Sequence, residues 1–213
     1  MDSSVRFELL DSILLIHLES PDQFPRLTRA VLRQLLARME KVSTEASVRA
    51  VVITGTPQAF CAGADLEEVS ALSPVEALRF SALGQSLMRA IESASKRVIA
   101  AIGGHCLGGG FDLAMACHLR IASSDARFGH PGGSLGVITG WGGTARLPRL
   151  VGKARARELL TTGRIITAEE AHAWRLVHCV VPPEAVLATA TDYARSIVQG
   201  APKNLLEELL QDP

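Results

Sequence analysis

The chain has 213 residues with 22 basic and 22 acidic side chains, 47% apolar residues, 21% charged residues and only 4% aromatics. That is enough chain for one well-filled core, too apolar for extended disorder, and too neutral and ring-poor for wrapping or stacking a nucleic acid. A local site for one small anion stays open.

The first elements in chain order are two β-rich runs, Val5 to Leu10 and Ile13 to Leu18, separated by Asp11-Ser12 at hairpin spacing. After a loop containing Pro21 and Pro25, the residues Val31, Leu32, Leu35, Leu36, Met39 and Val42 recur with a helical period. Val48 to Thr54 reads as a buried strand, and Gly55 to Gly63 as the loop leaving it. Pro74 suits the first turn of a long helix whose stripe is Phe80, Leu83, Leu87 and Ile91, ending near Ser95. Arg97 to Ile102 is a second buried strand, followed by a glycine turn at Gly103 to Gly110 and a short helix from Gly109 to Ala116. Leu119 to Ala122 is a third such strand, and Gly129 to Gly143, with seven glycines in fifteen residues, reads as shaped loop. Helices follow at Lys153 to Thr162, at Ala168 to Trp174 behind a Thr167/Glu170 capping box, and at Val186 to Val198. A short strand lies at His178 to Val181, and a last helix starts at Leu205 to Leu210. Strand and helix in alternation predict an α/β domain with parallel pairing. We divide it into a core over residues 1–167 and a C-terminal helical part over 168–213.

Cys61, Cys106, Cys117 and Cys179 show no C-x-x-C pairing, which predicts buried thiols and no metal. The N-terminus has neither the basic start nor the apolar run of a signal peptide, and no apolar stretch is long enough to span a membrane, so a cytoplasmic protein is expected.

Chemistry concentrates in two segments. Where the strand at Arg97 enters Gly108-Gly109-Gly110 and a helix begins, unpaired backbone N–H groups leave the turn and favour negative charge. The spacing fits neither the dinucleotide G-x-G-x-x-G pattern nor a P-loop. Asp112, in the first turn, is a candidate acid/base or simply a helix-start carboxylate. In the second segment, Gly63 between two alanines lets backbone approach a ligand closely, leaving the Ala64 amide accessible.

Together these segments resemble the signature of the crotonase superfamily, the enoyl-CoA hydratase/isomerase family. FCAGADLEEV at Phe60 to Val69, AAIGGHCLGGGFDLAMAC at Ala100 to Cys117 and RFGHPGGSLGVITGWGGTARLPRLVG at Arg127 to Gly152 look like its three main blocks, in order. TGRIITAEEAHAWRLVHCVVPPE at Thr162 to Glu184 resembles the segment that follows, and the agreement runs from about Val5 to Gln211. The resemblance implies a crotonase-like spiral of repeated ββα units, an acyl-CoA thioester as substrate, and no resident cofactor beyond the coenzyme A the substrate carries. It implies an oxyanion hole from the amides of Ala64 and Gly109, which fits the logic of preorganised donors at a helix start. It also implies contacts to coenzyme A or the acyl group from Ala62, Asp65, Leu66, Gly140 and Trp141. Arg26 is either a phosphate contact or a solvated side chain.

Several positions depart from the pattern. Hydratases of the family place one glutamate at Asp112 and another at Gly132, because adding water across a double bond needs one group to activate oxygen and one to protonate carbon. Here the first is a methylene shorter and the second is missing, which weighs against hydration. His130 is the nearest substitute, or else structural. Trp141 replaces a small residue and either narrows the acyl pocket or packs as core. Pro25 stands where the family favours asparagine. Relatives continue through further C-terminal helices that cover the pocket and support trimers or hexamers, so a shortened helical region is expected here. The readings carried forward are an enoyl-CoA hydratase/isomerase-type enzyme, an isomerase or decarboxylase using Asp112 alone, and a CoA-thioester-binding protein with little catalysis.

Overall fold

The computed structural model describes residues 3–200. The chain opens with an antiparallel hairpin of β1 (Ser4–Leu10) and β2 (Ile13–Glu19), whose two turn residues Asp11 and Ser12 both take positive φ. That is the turn whose twist suits a two-residue connection. Strand β3 (Arg26–Leu27) and helix α1 (Arg29–Val42) follow. The next turn holds β4 (Ala50–Thr54), β5 (Ala59–Cys61), β6 (Gly63–Ala64), α2 (Leu66–Ser70) and α3 (Pro74–Glu92). Then come β7 (Arg97–Ile102), β8 (His105–Leu107) and α4 (Gly109–Ala116), and after them β9 (Leu119–Ser123), β10 (Arg127–Gly129), a 3₁₀ turn (Pro131–Leu135), α5 (Gly143–Val151) and α6 (Lys153–Thr162). Strand β11 (Ile166–Thr167), α7 (Ala168–Ala173), β12 (Cys179–Val181) and α8 (Val186–Gln199) complete the described chain, and the helix expected at Leu205 to Leu210 lies outside it.

The strands build a six-stranded sheet in the order β1-β2-β4-β7-β9-β12, parallel except for the hairpin. A smaller sheet has the order β11-β10-β8-β5, and β3 pairs with β6. Successive turns send one strand to the large sheet, one to a smaller sheet, and then a helix across: β4, β5 and the helices after them, β7, β8 and α4, β9, β10 and α5. This is the expected spiral of ββα units. The segments read as loops at Gly55–Gly63 and Gly103–Gly110 are corrected accordingly, since they contain β5, the start of β6, and β8. The glycine-rich stretch 129–143 likewise holds the end of β10 and the 3₁₀ turn.

The inner strands β2, β4 and β7 of the large sheet are covered on both faces, which is why they read as continuous apolar runs, whereas the edge strand β1 is mostly exposed. Leu14, Ile16, Val51, Ile53, Val98 and Ala100 join one core with α1, α3 and α4. The intervening Ile13, Leu15, Val52, Ile99 and Ala101 meet Val186, Ala190 and Ala194 of α8. The Thr167/Glu170 capping box forms as expected, and a second one starts α3 at Ser73 and Glu76.

Arg120, buried in β9, donates to the carbonyls of Cys117 (2.5 Å) and Ala114 (3.4 Å) at the end of α4, and to Leu176 (2.7 Å) ahead of β12. A cation there complements the helix C-terminus and satisfies three acceptors. Arg120→Ala is expected to cost ~3 kcal/mol and to lower Tm by about 6–12 °C in a thermal melt, because the carbonyls stay buried without donors.

Candidate active site

Two turns meet at the start of α4. Gly63 has φ +103°, and a Cβ added there would lie 3.0 Å from the Leu107 carbonyl oxygen and 3.2 Å from the Gly109 nitrogen. Only glycine lets β6 press against α4 this closely. Gly110 repeats the device one residue on, because a Cβ there would fall on the Cys61 carbonyl. The Gly109 N–H belongs to the first turn of an eight-residue helix, whose opening donors have no intrahelical acceptor. The residues expected beside Ala64 are gathered here too. Leu27 is in register with Ala64 and Arg26 with Gly63, while the Ala62 N–H donates to the Pro25 carbonyl at 2.8 Å. Asp65 caps α2 by accepting from the Glu68 N–H at 2.9 Å, Leu66 is exposed, and Arg26 is ion-paired with Asp22 at 2.8 Å.

Asp112 is almost fully buried. Its Oδ2 accepts from the Thr139 hydroxyl, and the Trp141 backbone N–H also donates to the carboxylate. Its Oδ1 lies 3.4 Å from His130 Nε2. Oδ1 and both His130 ring nitrogens are buried and make no hydrogen bond among the described residues. Burial raises the Asp112 pKa to about 6, against the opposing pull of the Thr139 bond and the Arg146 charge. Burial lowers His130 to about 4, so at neutral pH the imidazole is uncharged and its contact with the carboxylate is not an ion pair. The ring also packs on Phe111, with centroids 5.0 Å apart. A Cβ at Gly143 would collide with Asp112, Thr139 and His130 together, so this glycine lets α5 close on the cluster.

Gly132 sits in the 3₁₀ turn, its carbonyl accepting from the Val137 N–H at 2.9 Å, and a Cβ there would lie 2.9 Å from the Val137 carbonyl oxygen. This loop conformation has no room for a side chain at 132.

The indole of Trp141 is 5% exposed and wedged between α3 and α4, where Cβ atoms at Gly84 or Gly109 would fall inside its rings. Phe80 meets it edge-on at 5.3 Å. Its loop is fixed by Gln85, which donates to the Gly140 carbonyl at 2.9 Å, and by Arg146, which donates to the Trp141 carbonyl at 3.0 Å and pairs with Glu92 at 2.6 Å. Trp141 is thus core and adjoins the Gly109 turn at once. Thr139, Gly143, Gly84, Gln85 and Arg146 are contributors that the sequence reading missed. His118 and His178 accept backbone N–H groups through Nδ1 from Val98 (2.9 Å) and Arg120 (3.2 Å), which accounts for both as structural. Cys61, Cys106 and Cys117 are buried free thiols and Cys179 is half-buried. Among the described residues no group of three or more His, Cys, Asp or Glu could hold a metal ion, and no helix is long and apolar enough to cross a membrane.

A spiral of ββα turns, with two glycine turns joined at a helix start, defines a crotonase-type α/β protein. The sequence matches the family described as enoyl-CoA hydratase/isomerase across residues 8–209, and the chain belongs to that family of enzymes. It is 40% identical to the crotonyl-CoA hydratase of Syntrophomonas wolfei, over 92% of this chain and 75% of that protein. It is 38% identical to the short-chain-enoyl-CoA hydratase of Clostridium acetobutylicum, over 94% and 77% respectively. The crystal structure of enoyl-CoA hydratase from Bacillus anthracis superposes with a TM-score of 0.87 at 38% identity, covering 93% of this chain and 77% of that one.

Proposed function

We propose that the protein binds an acyl-CoA thioester, holds its enolate oxygen between the amides of Ala64 and Gly109, and moves protons through one carboxyl, Asp112. The observation that carries this reading is the contact of Gly63 with the Gly109 amide, which brings both turns to one point beside a helix start. Donors fixed in place cost no reorganisation as charge develops on the thioester oxygen. Asp112 Oδ1, buried and without a partner among the described residues, is the atom that exchanges the proton. In isomerisation a proton passes from the acyl chain to Oδ1, the C–H electron pair moves into the conjugated system, the oxygen takes the charge, and the proton returns at another carbon. In decarboxylation the C–C pair left by carbon dioxide forms the same enolate, and protonated Asp112 quenches it. Hydration needs a second proton-transfer group, and position 132 supplies none. His130, neutral, packed on Phe111 and without a hydrogen bond to the carboxylate among the described residues, is a wall of the site beside Asp112 and not a second acid/base in this reading. Ala62, Asp65, Leu66 and Arg26 face the coenzyme end, with coenzyme A entering only as part of the substrate.

The test follows three reactions: loss of the conjugated absorbance of crotonyl-CoA, its gain from a 3-enoyl-CoA, and release of carbon dioxide from malonyl-CoA. The expected result is turnover in one of the last two, hydration at least about 100-fold below it, and no gain in hydration from Gly132→Glu. Hydration at an ordinary rate that survives Asp112→Ala would overturn these roles. Acyl-CoA affinity without turnover would identify a binding protein instead, and no affinity for coenzyme A would sink both.

A further inference from the structure

The large sheet ends at β1, whose outer side pairs with no strand among the described residues. The two-residue turn at Asp11 and Ser12 makes Leu10 and Ile13 a hydrogen-bonded pair, so Ser4, Arg6, Glu8 and Leu10 direct their backbone groups to β2. The Ser12 carbonyl accepts from the Arg49 N–H on the β4 side at 2.8 Å, in keeping with the same alternation. Val5, Phe7 and Leu9 therefore turn their backbone groups outward, where no backbone partner meets them among the described residues. Their side chains share the face of Leu18, Ile16 and Leu14 opposite them. Val5 packs on that core, while Phe7 and Leu9 stay 37% and 51% exposed. Sheet edges are ordinarily blunted by proline, a bulge or a covering element, yet β1 runs for seven residues in unbroken register with no proline or glycine.

We infer that β1 is a dimerisation edge that takes the β1 of a second copy of this chain, antiparallel about a two-fold axis at Phe7. The charges choose the register. Because Val5, Phe7 and Leu9 carry the outward backbone groups, only registers that set these residues opposite one another form the ladder. An axis at Arg6 would put Arg6 against the partner's Arg6, and an axis at Glu8 would put Glu8 against the partner's Glu8; like charges directly opposed are destabilising. An axis at Phe7 sets Arg6 against the partner's Glu8 and Glu8 against the partner's Arg6, with Phe7 on the partner's Phe7 and Val5 on the partner's Leu9. One patch then serves both copies, as a two-fold contact requires. Arg6 already pairs with Glu8 at 2.9 Å and Glu19 at 2.8 Å, and Glu8 lies 3.7 Å from the less exposed His17. The side chains of Arg6, Glu8 and Glu19 are each about half-exposed, so they re-pair across the axis with little desolvation. The ion pairs set register, while the backbone ladder and the apolar row of Phe7 and Leu9 hold the copies together. The contact is independent of the acyl-CoA reading.

The test is the mass of the full chain in sedimentation, together with cross-linking through single cysteines. Phe7→Lys sets two cations on the axis and is expected to halve the mass of the wild-type assembly. Arg6→Glu should do the same, and combining it with Glu8→Arg should restore the mass. Phe7→Cys falls opposite its own copy with Cα atoms ~5.5 Å apart, within disulfide reach, and is expected to give a covalent dimer on mild oxidation. Leu9→Cys would stand ~14 Å from its copy and should stay single. The wild type should stay single too, since Cys61, Cys106 and Cys117 are buried and Cys179 is half-buried. The altered positions are all exposed, so the variants are expected to keep the wild-type circular dichroism. A mass that Phe7→Lys and Arg6→Glu both leave unchanged overturns the contact, and so does a Phe7→Cys chain that cross-links no more than Leu9→Cys.

Discussion

Asp112→Asn is expected to reduce turnover by about 10²–10⁴-fold while making the protein more stable at pH 8. Asparagine keeps the shape of the side chain and can still accept from Thr139 and the Trp141 amide, but it cannot carry the proton. The stability gain follows from burial. A carboxyl whose pKa rises from 3.8 to about 6 on folding is happier protonated in the folded chain than in the unfolded one. Its favourable contribution is complete below pH 3.8 and is lost as pH rises through 6, so at pH 8 the ionised group costs on the order of 3 kcal/mol. The amide avoids that cost at the expense of weaker hydrogen bonds, which leaves a net rise in Tm of about 3–8 °C. The advantage should shrink as pH falls from 6 toward 4. A variant that loses activity without gaining stability at pH 8 would show that Asp112 is not held against its preferred state.

His130 works in the opposite sense. Its folded pKa of about 4 lies below the ordinary 6.5, so its contribution is complete above 6.5 and is lost as pH falls through 4. In the wild type the gain from protonating Asp112 and the loss from His130 nearly cancel between pH 4 and 6.5. In Asp112→Asn only the loss remains, and the variant should be the more acid-sensitive protein. The catalytic profile carries a sign of its own. Isomerisation needs Asp112 ionised and rises with pH through about 6, whereas decarboxylation needs it protonated and falls there.

The large sheet and the amphipathic helices are legible in the sequence because each strand or stripe announces its own burial: VRAVVIT and RVIAAI are apolar on both faces since α8 covers one side and α1, α3 and α4 the other. The strands β5, β6, β8 and β10 are not legible. Each is two or three residues long, next to glycines, and is a strand only because a distant segment pairs with it. The paired turns were visible as composition, and the resemblance assigned them, but their contact at Gly63 and Gly109 is a property of the spiral. The Asp112 cluster shows the same limit. Thr139 and Gly143 carry no local signal for a carboxyl 27 and 31 positions earlier in the chain. Gly84 did leave a trace, since a glycine inside a helix costs ~1 kcal/mol relative to alanine and its place in the buried stripe asks what it makes room for. The answer, Trp141, lies 57 residues away.

Gly63→Ala should lower kcat and kcat/KM together by about 10²-fold or more while changing the affinity for butyryl-CoA far less. Two effects act on the one added methyl. At φ +103° an L side chain is strained by ~1–3 kcal/mol, and the new Cβ meets the Leu107 carbonyl at 3.0 Å and the Gly109 nitrogen at 3.2 Å, both backbone atoms that cannot swing aside. β6 must therefore back away from α4, carrying the Ala64 amide with it. In the complex we propose, the ground-state thioester is held along its whole coenzyme, so its binding should suffer little. The enolate depends on two donors converging on one oxygen, and a shift of ~1 Å at such a point costs about 100-fold. Gly103→Ala is the matched control: its Cβ would meet its nearest neighbour, the Thr56 carbonyl, at an ordinary 3.5 Å, so turnover should stay within about 3-fold of wild type. A folded Gly63→Ala protein with undiminished kcat would mean that the charge develops somewhere other than between these two turns.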